Sequence, residues 1–390
     1  VGLRRDLRLA DHAALVAAAA RGPVLPVYVL DDETPAHRRM GGASRWWLHH
    51  SLASLDADLR KLGSRLVLRR GVSADVLAEL AAAQVFDHRT FYLCAERAGE
   101  IVAVLPLAEV RSRLFGHALT SLPFCVYGGI AADVDAGLDV LHELEAKAET
   151  IARALGVTHL EYRNVQLRHE DWPRQDLYVT FRKDILPDVE ANMLAIPRKQ
   201  RAMVRKGIKN GLVSVIDDDV ERFFALYADN VLRHGTPALS KKFFRRLKST
   251  FGEACEVLTV TTPEGKPLSS VLSFYFRDEV LPYYAGDDLA ARDLAANDFK
   301  YWDLMRRACE RGCKVFDYGR SKVGTGPYSF KKNWGFEPQP LSYEYRLYKR
   351  DSIPQNNPMN PKYRAFIALW KRLPIGVANR LGPHIVRNLG

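Results

Sequence analysis

Hydrophobic and polar positions follow one rhythm up to about residue 83 and another from residue 85 onward. In the first stretch, short unbroken apolar runs at residues 24–30 and 65–68 have the length of buried parallel strands. Residues 44–62 between them read as an amphipathic helix, and residues 12–20 and 74–83 are Ala-rich helical stretches. This alternation predicts a right-handed, doubly wound α/β fragment three strands deep. From residue 85 the strands arrive as hairpins. Residues 90–95 and 101–107 flank the turn Arg97-Ala98-Gly99-Glu100. An apolar run at 119–127 precedes a helix over 136–155, and strands follow at 159–162 and 178–181. The order then recurs at greater length. A strand at 212–216 leads to helices at 219–233 and 241–250, and then to a hairpin of 255–262 with 267–276. A strand at 279–285, a helix at 294–311, a strand at 314–318, a short helix at 328–334 and a closing strand at 341–348 complete it.

Composition narrows the class. The chain has 390 residues, 47% hydrophobic and 26% charged, as an ordinary soluble protein of two or three domains would. No apolar run approaches the roughly 20 residues of a spanning helix. The chain opens on Val1-Gly2-Leu3 without an initiator Met or a signal peptide, which reads as a processed chain or a fragment. Its five cysteines (Cys94, Cys125, Cys255, Cys309, Cys313) are scattered, which predicts reduced thiols and a cytoplasmic setting. A formal net charge of +11 favours anionic partners: nucleic acid, nucleotide-linked donors or the inner-membrane surface. Solvated arginines from a GC-rich genome give the same number.

Two resemblances sharpen the picture. Leu3-Arg4-Arg5-Asp6-Leu7-Arg8-Leu9-Ala10-Asp11-His12 and Gly42-Ala43-Ser44-Arg45-Trp46-Trp47-Leu48-His49-His50-Ser51-Leu52 resemble the opening of the photolyase/cryptochrome family. Gly2-Leu3 stands where that family has an aromatic pair. The resemblance implies an antenna-type α/β domain over residues 1–83. In that family FAD and DNA are bound by a helical domain that nothing here resembles, so neither FAD nor DNA is expected.

From residue 85 the element order is that of the GNAT acyltransferase fold, twice. Only the later part of the first copy is visible, over 85–195; the second, over 196–350, is complete; a basic tail fills 351–390. The fold class expected is therefore α/β and α+β: a truncated doubly wound fragment, then tandem GNAT-like units with the first incomplete. Tandem units of this kind resemble the FemAB family, and most closely its members from exopolysaccharide and PEP-CTERM/exosortase gene clusters. The motifs are Leu122-Pro123-Phe124-Cys125-Val126-Tyr127-Gly128-Gly129, Pro197-Arg198-Lys199-Gln200-Arg201, Phe316-Asp317-Tyr318-Gly319-Arg320-Ser321 and Phe330-Lys331-Lys332-Asn333-Trp334-Gly335-Phe336. The resemblance implies an acyl or aminoacyl donor (acyl-CoA or aminoacyl-tRNA) as co-substrate, with no bound cofactor.

Candidate chemistry follows from these positions. Asp317 ends the fifth strand and suits a general base for an attacking amine; capping a helix or pairing with Arg320 is the alternative. Lys331 and Lys332 point to different faces, so one reaches the site as a donor-phosphate or oxyanion partner, unless both are a surface pair. Tyr283 and Tyr284 alternate, so one of them faces the cleft; Tyr284 is the candidate, against a place in the core. Arg320 and Ser321 close their motif as substrate-binding residues. Arg198, Arg201 and Arg205 share a helix face suited to phosphates of tRNA or of a nucleotide- or lipid-linked acceptor, or they coat a solvated linker. The stretch 285–293 holds one glycine with Asp287 and Asp288, which would repel a coenzyme pyrophosphate. No metal-ligand spacing is found. The leading expectation is a cytoplasmic transferase, peripheral at the inner membrane, that acylates an amine of an envelope or polysaccharide precursor. A photolyase-type protein and a fusion without function of its own are the alternatives.

Overall fold

The computed structural model describes residues 2–3, 9, 26–30, 42–62, 64, 66–70, 88–97, 100–112, 116–354 and 364–387. The chain divides into two compact units, Val1–Ala82 and Ala83–Gly390. In the first, β1 (Gly2–Leu3), β2 (Val27–Leu30) and β3 (Val67–Arg70) pair in parallel in that order. Helix α1 (Gly42–Lys61) buries Leu52, Leu55 and Leu59 with Tyr28 and Leu66, the apolar stripe that helical spacing gives. The helices expected at 12–20 and 74–83 lie outside the described residues.

The second unit opens with antiparallel β4 (Arg89–Arg97), β5 (Glu100–Ser112) and β6 (Gly116–Ser121). Short β7 (Ala131–Ala132) pairs with β5, α2 (Leu138–Leu155) crosses, and β8 (His159–Asn164) returns parallel to β6. Leu144, Ala148 and Ala152 of α2 pack over Leu105, Leu107, Leu119 and Leu160. Gly156, in the left-handed conformation, ends the helix. Next come β9 (Arg174–Gln175), β10 (Tyr178–Thr180), β11 (Arg182–Asp184), α3 (Val189–Ala195) and α4 (Arg198–Lys209).

A six-stranded sheet follows. Its elements are β12 (Val213–Asp217), α5 (Glu221–His234), α6 (Lys241–Phe251), β13 (Cys255–Thr261), β14 (Pro267–Phe276), β15 (Glu279–Asp287), α7 (Ala296–Glu310) and β16 (Val315–Asp317). The strand order is β11-β16-β15-β14-β13-β12, antiparallel except where β15 meets β16. Every residue of β13 is buried, because helices cover both faces of the sheet. Leu258 and Val260 join the core of α7, whereas Cys255 and Val257 join that of α5 and α6. Then β17 (Ser321–Lys322), α8 (Gly326–Asn333), β18 (Gln339–Pro340) and β19 (Ser342–Leu347) follow, with β17 and β18 flanking β10 in a small sheet.

One expectation is corrected here. The strand read as closing the second copy, β19, lies instead in the first sheet, whose order is β4-β5-β6-β8-β19-β9. In return, β11 from earlier in the chain edges the six-stranded sheet through β16. Strand patterning encodes which face is buried, not which strand is the partner. The two copies thus exchange edge strands and fold as one body.

The tail forms α9 (Arg364–Trp370) and α10 (Ile375–Val386), and Trp370 is buried with Leu232 of α5 and Ala378. It therefore packs. The lone glycine of 285–293 also has a packing role: a Cβ on Gly286 would run into the Leu226–Tyr227 backbone of α5. Gly286→Ala is expected to cost about 1–3 kcal/mol through this overpacking, read from a denaturant midpoint. A midpoint equal to wild type would show that α5 gives way freely.

Candidate active site

Strands β15 and β16 pair in parallel at two positions, Glu279 with Val315 and Val280 with Phe316. Beyond these β15 continues to Asp287 while β16 ends at Asp317, so a wedge opens between them. At the wedge, β15 carries an extra residue: Leu272 pairs with Tyr284 and Ser273 with Pro282, which leaves Tyr283 bulged. The bulge breaks the alternation that would have sent the two tyrosines to opposite faces, and their rings lie 4.8 Å apart. Tyr284 packs against Phe244 (5.1 Å) and Phe243 (6.0 Å), in the aromatic core under α5 and α6. Tyr283 turns its hydroxyl to a loop of the first copy. It accepts from the Val126 amide at 2.9 Å and donates to the Phe124 carbonyl at 3.3 Å.

That loop, residues 122–129, takes in the end of the apolar run read from the sequence at 119–127. Two of its non-glycine residues have left-handed backbones, Leu122 (φ 45°) and Phe124 (φ 71°), each a strain of about 1–3 kcal/mol. Side chains from three further strands offset it. Arg163 donates to the Cys125 carbonyl (3.0 Å), Tyr343 to the Val126 carbonyl (2.6 Å), and Tyr283 as above. The outcome is that Tyr127 donates to Asp317 Oδ2 at 2.8 Å, with Oδ1 at 3.0 Å, and shares a hydrogen bond with the Thr180 hydroxyl.

Asp317 is 2% exposed, a buried carboxylate rather than one at an open edge. The Gly319 amide donates to Oδ1 at 2.7 Å, and Arg182 lies 3.5 Å from Oδ2 while also pairing with Glu279. Burial pushes the Asp317 carboxyl above the usual carboxylate range, against the pull of Tyr127, the Gly319 amide and Arg182. Burial and the neighbouring Asp317 push the Tyr127 phenol well up, so it stays protonated. Arg320 is not the partner of Asp317. It sits over the Tyr178 ring (4.5 Å) and donates to the Tyr343 hydroxyl (3.1 Å). Ser321 is buried beside it, its hydroxyl without a partner among the described residues.

The two lysines separate as their adjacency requires: Lys332 is exposed, and Lys331 is buried. Lys331 Nζ, however, donates to three successive carbonyls, Tyr318 (2.7 Å), Gly319 (3.1 Å) and Arg320 (3.2 Å). Its three hydrogens are thereby used, and it clamps the turn that follows Asp317 instead of facing a ligand. Burial brings its ammonium down to about 7, partly opposed by Asp317. The ordinary value, 10.5, holds in the unfolded chain, so between 7 and 10.5 the unfolded state binds more protons. Stability from this group therefore rises with pH across that window, by at most about 1.4 kcal/mol per unit. Urea denaturation at pH 6.5 and 9.5 is expected to show wild type gaining on Lys331→Met as pH rises. An unchanged difference would mean that Lys331 titrates normally.

The remaining candidates lie elsewhere. Arg198, Arg201 and Arg205 stand on α4, whose buried side (Gln200, Val204, Gly207) packs against α7. Arg198 and Arg205 are exposed and Arg201 is half-buried, and no contact brings them to Asp317 among the described residues. Asp287 and Asp288 are engaged internally. Asp287 accepts from Ser269 and from fully buried Lys300 (2.9 Å), and Asp288 takes the Ala290 amide (2.9 Å) that an incoming phosphate would need. A second concavity of about 620 Å3 lies along α2, but its charges pair with each other, as in Arg153–Glu149 (3.2 Å) and Arg346–Glu149 (3.6 Å).

Sequence reasoning did not single out Tyr127, Thr180 or Arg182, and it set Tyr283 behind Tyr284. The available signal was Pro123 with Gly128-Gly129, which punctuates the apolar run and marks a loop.

Comparison with known proteins finds likenesses to two different families. The DNA photolyase family matches residues 2–110, and the acetyltransferase (GNAT) domain family matches residues 198–332. The deoxyribodipyrimidine photo-lyase of Agrobacterium fabrum is 48% identical over 81 residues, 20% of this chain and 16% of that protein. Cryptochrome-1 of Arabidopsis thaliana is 43% identical over 96 residues, 23% of this chain and 14% of that protein. The chain thus spans about a sixth of the length of these relatives. The photolyase match runs past residue 85 into β4 and β5, which are antiparallel strands of the first mixed sheet. Among solved structures, FemX superposes with a TM-score of 0.55 at 14% identity, over 74% of this chain and 93% of that one. The C-terminal domain of a putative lysylphosphatidylglycerol synthetase from Agrobacterium fabrum gives 0.50 at 12% identity, over 72% and 91%. A photolyase-like region therefore leads a tandem GNAT-like fold similar to that of FemX, whose second copy matches the acetyltransferase (GNAT) domain family.

Proposed function

We propose that this protein transfers an acyl or aminoacyl group to an amine of an envelope or exopolysaccharide precursor, with Asp317 as the proton acceptor. The observation that carries the reading is the buried carboxylate at the mouth of the β15/β16 wedge, its basicity raised by burial. The attacking amine forms the new C–N bond at the donor carbonyl, the bond from that carbonyl to the donor's carrier breaks, and the amine proton passes to Asp317. No nucleophilic side chain is needed. Asp288 already holds the amide at the turn before α7, which favours an aminoacyl-tRNA ester over a coenzyme held there by its diphosphate. The net charge of +11 and the basic face of α4 suit such a polyanion. No helix among the described residues is long and apolar enough to cross a membrane, and action on the cytoplasmic face of the inner membrane is part of the proposal.

The test supplies the purified full chain with acetyl-CoA or with a pool of charged tRNAs, and with hydroxylamine and simple amino sugars as acceptors. Amide or hydroxamate formation, followed by mass spectrometry, is expected from the tRNA pool. Product no faster than the enzyme-free rate from either donor overturns the reading.

A further inference from the structure

The wedge between β15 and β16 is not empty. A Cβ placed on Gly319, just after β16, would lie 3.6 Å from Leu281 of β15 and 3.8 Å from Val126. The loop of the first copy therefore meets both sides of the opening at its mouth. Phe124, two residues earlier, packs against the aromatic core that contains Tyr284. Tyr127, one residue later, covers Asp317 with its hydroxyl. Residues 122–127 thus fill the wedge and screen the carboxylate together.

The way this segment is fastened is informative. Its backbone joins no strand ladder: the Cys125 amide donates to the Leu122 carbonyl within the segment, and side chains take the Cys125 and Val126 carbonyls, with Tyr283 taking both the Val126 amide and the Phe124 carbonyl. Among the described residues, release breaks the side-chain bonds of Tyr283, Arg163, Tyr343 and Tyr127 and lifts Phe124 from its core and from the His88 ring (5.9 Å), but it separates no paired strands. Leu122 and Phe124 lose their left-handed backbones on release, which offsets part of that loss. The two copies supply different parts, the plug from the first and the slot from the second.

We infer that residues 122–127 are a displaceable plug, latched by Tyr283, whose withdrawal opens the β15/β16 slot and uncovers Asp317 in one movement. The plug rests on the reading of Asp317 as the base, and it makes that base available only when the slot is open. A donor entering the slot displaces the segment, so water and amines reach Asp317 only with a donor in place.

Hydrogen exchange on the full chain tests this without donor or acceptor, so its result stands whether or not transfer is found. Exchange is resolved to single amides in wild type, Tyr283→Phe and Tyr127→Phe. The informative amides are Cys125 and Gly128, which donate to the Leu122 and Arg163 carbonyls, bonds that neither substitution removes. Both amides are expected to exchange at least 10-fold faster in each variant, with residues 255–276 unchanged. Tyr127→Phe keeps the test decisive should Tyr283→Phe unfold. If Cys125 and Gly128 are protected as fully as β13 in wild type and in the folded variants, the segment is a fixed wall and the plug is overturned.

Discussion

Asp317→Asn is expected to lower kcat for transfer by about 100-fold or more and to leave KM within a few-fold of wild type. An asparagine keeps the shape but has no basicity, so the amine proton loses its acceptor in the transition state alone. The substitution also has a structural cost. Asp317 accepts from the Tyr127 hydroxyl and the Gly319 amide and lies beside Arg182. An asparagine NH2 turned toward either donor opposes donor to donor, and the Arg182 pairing is lost, which costs about 1–3 kcal/mol. The end of a strand suggests an open edge where little stability is at stake, but at 2% exposure Asp317 is not at one. The kinetic comparison must therefore be made below the variant's own melting range. A kcat within a few-fold of wild type, on folded protein, would move the proton acceptor to another residue.

Much of the fold was legible because it is written in local period and turn chemistry. The hairpin of β13 and β14 turns at Pro263-Glu264-Gly265-Lys266, and α5 to α7 follow the spacing of their apolar stripes. What depends on distant partners was not legible. The six residues of β19 pack equally well on either sheet by pattern alone, and the exchange with β11 is visible only once β8 and β16 are in place. Tyr127 and Asp317 are 190 residues apart, and nothing local marks a tyrosine in an apolar run as the cover of a carboxylate. The bulge at Tyr283 defeats the period-2 rule at the one position where it mattered. Of Lys331 and Lys332, one was expected to turn inward to a ligand; Lys331 is the buried one, but its partners are main-chain carbonyls, which a sequence does not display.

The exchanged strand carries the largest stability effect expected. Glu344 of β19 is wholly buried. It accepts from the Arg168 amide (2.9 Å), the His169 amide (3.2 Å) and the His169 ring at Nδ1 (2.6 Å). Glu145 of α2 holds the other side, taking the Arg168 guanidinium at 2.8 Å and lying 3.4 Å from His169 Nε2. The imidazole is stacked on Trp172 at 3.9 Å. Although burial works against its charge, hydrogen bonds to Glu145 and Glu344 raise His169 from 6.5 to about 9. Glu344→Ala leaves two amides and an imidazolium facing a void, and is expected to cost about 3–5 kcal/mol at pH 6. The sign of the pH effect follows. A group raised in the folded state gives stability that is complete below 6.5 and lost as pH rises through 9. The gap between wild type and Glu344→Ala should therefore narrow from pH 6 to pH 9.5, while the opposite slope of Lys331 cancels because both proteins keep it. Denaturant unfolding at the two pH values measures this. A loss below about 1 kcal/mol at pH 6, or a gap that widens with pH, would mean that β19 is held to the first sheet by its ladder with β8 and not by this cluster.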